Sequence, residues 1–193
     1  MKKRITIVVP VYNEAENIPH FTEAVNAAMA PLPYDYEILF VDDGSKEESR
    51  CVLRATAAKD AHVRAIYLSR NYGHQAALTC GIDNADGDAV ITMDGDMQHP
   101  PALIPRLLAL WEQGYGVVQT IRQTTEGVSA FKRLTSKYYY KVLNLISDVP
   151  IQPGGSDFRL MDREAVLALR QYREHDRFIR GIEIGRASCR ERV

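Results

Sequence analysis

Residues 89–99 read Ala89-Val90-Ile91-Thr92-Met93-Asp94-Gly95-Asp96-Met97-Gln98-His99. The short apolar run has the length and composition of a buried strand. Two carboxylates, Asp94 and Asp96, flank one glycine where that strand gives way to a loop. Open α/β sheets bind ligands outside the carboxyl ends of their strands. A hard divalent cation explains why two acids converge there, and such a cation would in turn hold a diphosphate. The segment therefore points to a nucleoside-diphosphate site at a sheet edge.

The same grammar repeats on both sides. Apolar runs at Ile5–Val11, Tyr36–Val41, Val63–Leu68, Ala89–Met93 and Val117–Ile121, with a shorter one at Phe158–Met161, read as strands. Helical spacing predicts helices at about residues 15–29, 47–59, 74–85, 101–113, 129–146 and 163–172. In the first of these, Ile18, Phe21, Val25 and Met29 share a face. This alternation indicates βαβ units and a mostly parallel sheet flanked by helices.

Bulk properties exclude other classes. A chain of 193 residues with 46% hydrophobic and 25% charged residues suits one soluble domain. The net charge of −1 gives no nucleic-acid signal. Cys51, Cys80 and Cys189 form no CxxC pair, which argues for a reducing compartment and against a disulfide framework or zinc site. The run after Met1-Lys2-Lys3-Arg4 contains Pro10, ends in Tyr12-Asn13-Glu14 and has no small-residue cleavage site, so it reads as a first strand and not a leader. No run approaches the ~18 apolar residues of a membrane span. Residues 184–193 lack apolar periodicity and resemble one translated frame of a DNA-sequencing adapter. The expectation is a domain over 1–182, incomplete at its C-terminus, and a non-native tail over 183–193.

Other strand ends carry polar groups to the same edge. Tyr12 and Glu14 follow the first strand, where they could face a base and a ribose; a plain turn with Asn13 capping the helix is the alternative. The second strand ends in Asp42-Asp43-Gly44-Ser45, with Asp42 a candidate for a base edge or ribose hydroxyl and Ser45 a candidate helix cap. Ser69-Arg70-Asn71-Tyr72-Gly73-His74 follows the third, with Arg70 or Asn71 a candidate nucleotide contact. His74 reads as a helix-start residue, with a catalytic role the lesser alternative.

In order and spacing, Val9-Pro10-Val11-Tyr12-Asn13-Glu14, Val41-Asp42-Asp43-Gly44-Ser45, Arg70-Asn71-Tyr72-Gly73 and Asp94-Gly95-Asp96-Met97-Gln98-His99-Pro100 resemble the family 2 glycosyltransferases. Ser156-Asp157-Phe158-Arg159-Leu160-Met161 and Arg177-Phe178-Ile179-Arg180-Gly181 extend the resemblance to about residues 4–182. It is nearest to the polyprenyl-phosphate type, which includes dolichol-phosphate mannosyltransferase and the bactoprenol glucosyltransferases. The resemblance implies a GT-A fold with a Rossmann-like sheet and a nucleoside-diphosphate sugar donor. It implies that Pro10, Tyr12, Glu14, Asp42, Asn71 and Asp94 line the nucleotide-sugar site. Asp94, Asp96 and Gln98 would hold Mg2+ or Mn2+, a donor set that suits hard cations. Gly95, where many relatives carry alanine, is expected to change little beyond backbone freedom.

The second half is expected to bind the acceptor. Residues 129–146 combine an apolar stripe with Arg133, Lys137 and Lys141, which fits either a core helix with a solvated face or a helix at an anionic membrane surface. The resemblance assigns Arg122, Arg133 and Ser136 to an acceptor phosphate, and guanidinium groups suit phosphate. It makes Asp157 and Asp96 the catalytic candidates. Asp157 is a candidate base, although an anionic acceptor needs no full proton abstraction, and Arg159 could pair with it.

The reaction so implied moves a sugar, glucose as first choice, from a nucleoside-diphosphate sugar to a polyprenyl phosphate with inversion. It implies a whole protein at the cytoplasmic face of the bacterial inner membrane, where a homo-oligomer stays open, and a fragment that is itself soluble. In the family a basic loop and often two membrane helices follow the equivalent of Gly181, so this fragment is expected to bind donor weakly and turn over poorly. The rivals are transfer to a polysaccharide or protein acceptor, a non-catalytic nucleotide-sugar binding module, a membrane adaptor, and a nucleotidyltransferase. The last would usually need a glycine- and lysine-rich loop where this chain has Pro10 and Tyr12.

Overall fold

A run of eight residues, Arg4–Val11, forms β1, and every residue after Arg4 in it is buried. Burial on both faces is the environment of a central parallel strand, and it matches the unbroken apolar sequence. The computed structural model describes residues 2–121, 155–171 and 190–192. Along them run β1, α1 (Asn17–Met29), β2 (Asp35–Asp42), α2 (Glu47–Lys59), β3 (Val63–Tyr67), α3 (His74–Asp83) and β4 (Ala89–Thr92). A 3-10 turn (Pro101–Leu103), α4 (Ile104–Glu112), β5 (Val117–Ile121), β6 (Gly155–Asp162), α5 (Arg163–Arg170) and β7 (Arg190–Arg192) follow.

The strands form one sheet in the order β3-β2-β1-β4-β6-β5-β7. β1 pairs in parallel with both β2 and β4, and β2 with β3. β6 enters between β4 and β5 and is antiparallel to both. The three-residue β7 lies parallel to β5 at the edge. The expected α/β class with a mostly parallel sheet is therefore the observed one.

Alternation along β1 sends its side chains to two cores. Ile5, Ile7, Val9 and Val11 pack with Phe21, Val25, Leu53, Ile104 and Leu107 of α1, α2 and α4. Val8 packs with Ala77, Leu78 and Ile82 of α3 and with Val166 and Leu169 of α5. Phe21 and Phe40, both fully buried, meet edge to face with centroids 5.9 Å apart. Such pairs contribute about 0.5–1.5 kcal/mol beyond their area.

The expected helix over 101–113 is divided. Pro105 has no N–H to give the carbonyl of Pro101, so Ile104 N–H takes that carbonyl in a tighter turn before α4 proper begins. The expected helix over 129–146, and Arg122, Arg133 and Ser136, lie outside the described residues. Among the described residues no helix is long and apolar enough to cross a membrane.

Candidate active site

A cleft of about 550 Å³ opens at the carboxyl ends of β1, β2 and β4. One wall comes from the end of β1: Pro10 and Val11, then Tyr12 and Glu14. Tyr12 is 49% exposed, so its ring is available to a ligand. Asn13 between them has φ +57 and does not cap α1. Its N–H donates to Ser45 Oγ and its Oδ1 accepts from Lys46 N–H, each at 2.9 Å. The residue thus fastens the β1 loop to the β2 loop, and Ser45 serves that latch and not α2 as a cap.

The two acids ending β2 part company. The Asp42 carboxylate is buried; it accepts from Arg50 Nε at 2.8 Å and Ser45 N–H at 3.2 Å, and it does not line the cleft. Asp43 does line it. Its carboxylate accepts the N–H groups of Tyr72 at 2.7 Å and Gly73 at 2.9 Å, which ties the β3–α3 loop to β2. Sequence reasoning named Asp42 and passed over Asp43, whose only signal was its adjacency. Gly44 makes the close approach possible. It has φ +73, and a Cβ there would lie 2.2 Å from the Arg70 carbonyl carbon. Asn71, Gly73, His74 and Ala77 bring the loop and the first turn of α3 into the cleft.

The floor is the turn after β4, where Asp94, Gly95 and Asp96 line the cleft. Asp94 lies partly buried between two histidines. Its Oδ1 is 3.5 Å from His74 Nε2 and its Oδ2 is 3.5 Å from His99 Nδ1. Oδ1 is buried and has no hydrogen-bond partner. Burial raises the Asp94 pKa above the usual carboxylate value; the two histidines oppose the rise, and Asp157 and Asp96 add to it. Asp96 is exposed, and its Oδ1 accepts the Gln98 N–H at 3.0 Å. Gln98 is exposed and does not line the cleft.

β6 carries Asp157 to the same place. Thr92 faces Arg159 across the β4–β6 ladder, and Thr92 Oγ1 donates to the Asp157 carbonyl at 2.6 Å. Asp157 Oδ1 accepts from Arg159 at 2.6 Å, and both residues are buried. Its Oδ2 lies 3.7 Å from His74 Nε2. Asp94 and Asp157, 63 positions apart in sequence, thus meet across one histidine that the sequence reading left as a helix-start residue.

The residues fit a divalent cation. A buried carboxylate oxygen without a hydrogen bond needs a positive partner. Ligand atoms of His74, Asp94 and Asp157 lie within 4.8 Å of one another.

Comparison with known proteins identifies the family and the fold. The family model described as Glycosyl transferase family 2 matches residues 6–170. An uncharacterized glycosyltransferase of Synechocystis sp. is 39% identical over 182 residues, covering 94% of this chain and 57% of that protein. The bactoprenol glucosyl transferase of Shigella phage SfV is 39% identical over 179 residues, 93% of this chain and 58% of its own length. The chain thus spans less than two thirds of these relatives. Glucosyl-3-phosphoglycerate synthase from Mycobacterium tuberculosis has been solved in complex with Mn2+, UDP-glucose and phosphoglyceric acid. It superposes with a TM-score of 0.57 at 20% identity, over 86% of this chain and 59% of that one. The shared architecture is the GT-A fold.

Proposed function

The chain belongs to glycosyl transferase family 2, and we propose that the protein it represents moves a sugar, glucose as first choice, from a nucleoside-diphosphate sugar to a polyprenyl phosphate. The observation that carries the donor side is the buried, unbonded Asp94 Oδ1 on the floor of the cleft, beside Asp96 and opposite Tyr12. In this reading Pro10, Tyr12, Glu14 and Asn71 surround the nucleoside, and Asp43 holds the loop that completes their wall. Asp42 acts from behind, through Ser45 and Arg50. Asp94 and Asp96 would hold Mg2+ or Mn2+, and Gln98, exposed outside the cleft, would add its side-chain oxygen only by turning inward. When bound, the cation neutralises charge developing on the departing diphosphate.

The acceptor half rests on the relatives named bactoprenol glucosyl transferase and on Arg122, Arg133 and Ser136 as phosphate ligands. A phosphate oxygen attacks the anomeric carbon in line, on the face opposite the diphosphate. The new carbon–oxygen bond forms as the bond to the diphosphate breaks, and the configuration inverts. The attacking oxygen is already anionic, so Asp157 has no proton to remove; Arg159 tethers it with its Oδ2 3.7 Å from His74 Nε2. The whole protein would work at the cytoplasmic face of a membrane, where such a lipid is available.

The test is transfer of labelled glucose from UDP-glucose to undecaprenyl phosphate, with Mg2+ or Mn2+, by the protein carrying its downstream sequence. A glucolipid is expected. Transfer to a protein or polysaccharide with no glucolipid would overturn the acceptor assignment, and UDP binding indifferent to metal would overturn the cation's role.

A further inference from the structure

Asp94 and Asp96 follow one strand, and a cation held by them alone would have ligands from a single turn. The opposite wall supplies a nitrogen. His74 is the first residue of α3 and lines the cleft. Its Nε2 is 3.5 Å from Asp94 Oδ1, the oxygen without a hydrogen bond, and 3.7 Å from Asp157 Oδ2. Metal–ligand bonds of about 2.0–2.2 Å place neighbouring ligand atoms roughly 3–3.5 Å apart; the two sides that meet at His74 are near that spacing, and all three ligand atoms lie within 4.8 Å of one another, so an ion would draw the two carboxylates together. Asp157 is held by Arg159 and by the Thr92 hydroxyl on its carbonyl, and the His74 backbone is set by the start of α3, whose preceding loop Asp43 clamps.

We propose that His74 Nε2, with Asp94 Oδ1 and Asp157 Oδ2, ligates the divalent cation of this site, and that the nitrogen biases the site toward Mn2+ over Mg2+. The proposal rests on the metal-dependent reading above. Mg2+ keeps to oxygen ligands, whereas an imidazole favours transition-metal ions. His99 is the competing histidine. It approaches the other oxygen of Asp94, does not line the cleft, and its ring packs at a tilt against Phe158 with centroids 5.7 Å apart.

Pulsed electron paramagnetic resonance of Mn2+ bound to the chain with UDP reads the ligand directly. Coupling to a bound ¹⁴N is expected in the parent, lost in His74→Gln and kept in His99→Gln. Calorimetry should show His74→Gln weakening Mn2+ by about tenfold, the scale of losing a partner at a metal site, with a smaller change for Mg2+. Circular dichroism checks that both variants fold, and the parent spectrum needs no variant. Bound Mn2+ without nitrogen coupling, or coupling that vanishes only in His99→Gln, overturns the proposal and leaves the metal-dependent reading standing. Failure of the parent to bind Mn2+ even with UDP overturns both.

Discussion

Asp94 lives with a tension that a cation would relieve. Burial disfavours its charged form, and the neighbouring acids Asp157 and Asp96 push in the same direction, while His74 and His99 pull back. Two effects of opposite sign should follow from Asp94→Asn. Metal-dependent UDP binding falls by at least about tenfold, as expected when a first ligand is lost, which calorimetry measures. Thermal stability without metal stays equal or rises by about 1 kcal/mol, because a poorly solvated charge is gone. Two glycines make a second contrast. At Gly95 an added Cβ would meet the buried side chains of Val11 at 3.0 Å and Val9 at 3.3 Å, so Gly95→Ala should cost about 1 kcal/mol in denaturant unfolding. The residue is a tighter fit than its sequence context suggested. At Gly44 the obstacle is backbone and φ is positive; Gly44→Ala should cost about 2–3 kcal/mol and loosen the cleft wall with it. The split between Asp42 and Asp43 was not legible in the sequence. Neighbouring residues at a strand end point to opposite sides, and β2 is apolar on both faces, so its pattern carries no phase.

Between β1, β2 and β3 the sheet buries one acid deliberately surrounded. Glu37 of β2 accepts from Thr6 Oγ1 at 2.9 Å, Arg4 at 2.9 Å and Arg64 Nε at 3.1 Å. Burial alone would raise its pKa; the hydrogen bonds of Arg64 and Thr6 and the charges of Arg64 and Arg4 outweigh it, and the pKa lies below the usual carboxylate value. A depressed carboxylate contributes stability above its unfolded pKa and loses that contribution as pH falls through its folded one. Glu37→Gln should therefore lower stability at neutral pH by about 1 kcal/mol, a modest figure because both arginines are half exposed to water. The gap to the parent should narrow in acid, as unfolding across pH would reveal. Most elements were legible from apolar period; α2 occupies residues 47–59 as its spacing predicted. β6 was less so. Gly155 and Ser156 read as loop because glycine disfavours strands, yet the ladder extends through Gly155. Its antiparallel direction had no local sign, since strand polarity is decided by partners far away in sequence.

Across the molecule, the cleft draws on three strand ends and a helix start, so a ligand there joins segments from Pro10 to Asp96. Filling it should stabilise the whole sheet. With UDP and Mn2+ at a hundredfold excess over Kd, linkage gives about 2.7 kcal/mol, and a chain of this size should melt roughly 5–10 °C higher. Calorimetric scanning with UDP, Mn2+ and both together would check it; a shift from UDP alone equal to that from both would contradict the cation's part. The GT-A class was legible because six separated motifs kept their order, whereas the nearness of His74 to Asp94 and Asp157 needed distances that no spacing encodes.

The placement of β6 bears on how such a protein can change over time. Asp157 and Asp94 are kept apart by a ladder in which Thr92 faces Arg159, not by the length of chain joining β5 to β6. Residues can be gained or lost between the two strands while the spacing of the two acids stays as it is. A one-residue slip within β6 has the opposite character: it would turn Asp157 to the other face of the sheet. Changes of chain length are thus tolerated between the strands and excluded within β6, so the pairing of the two acids can outlast changes around it.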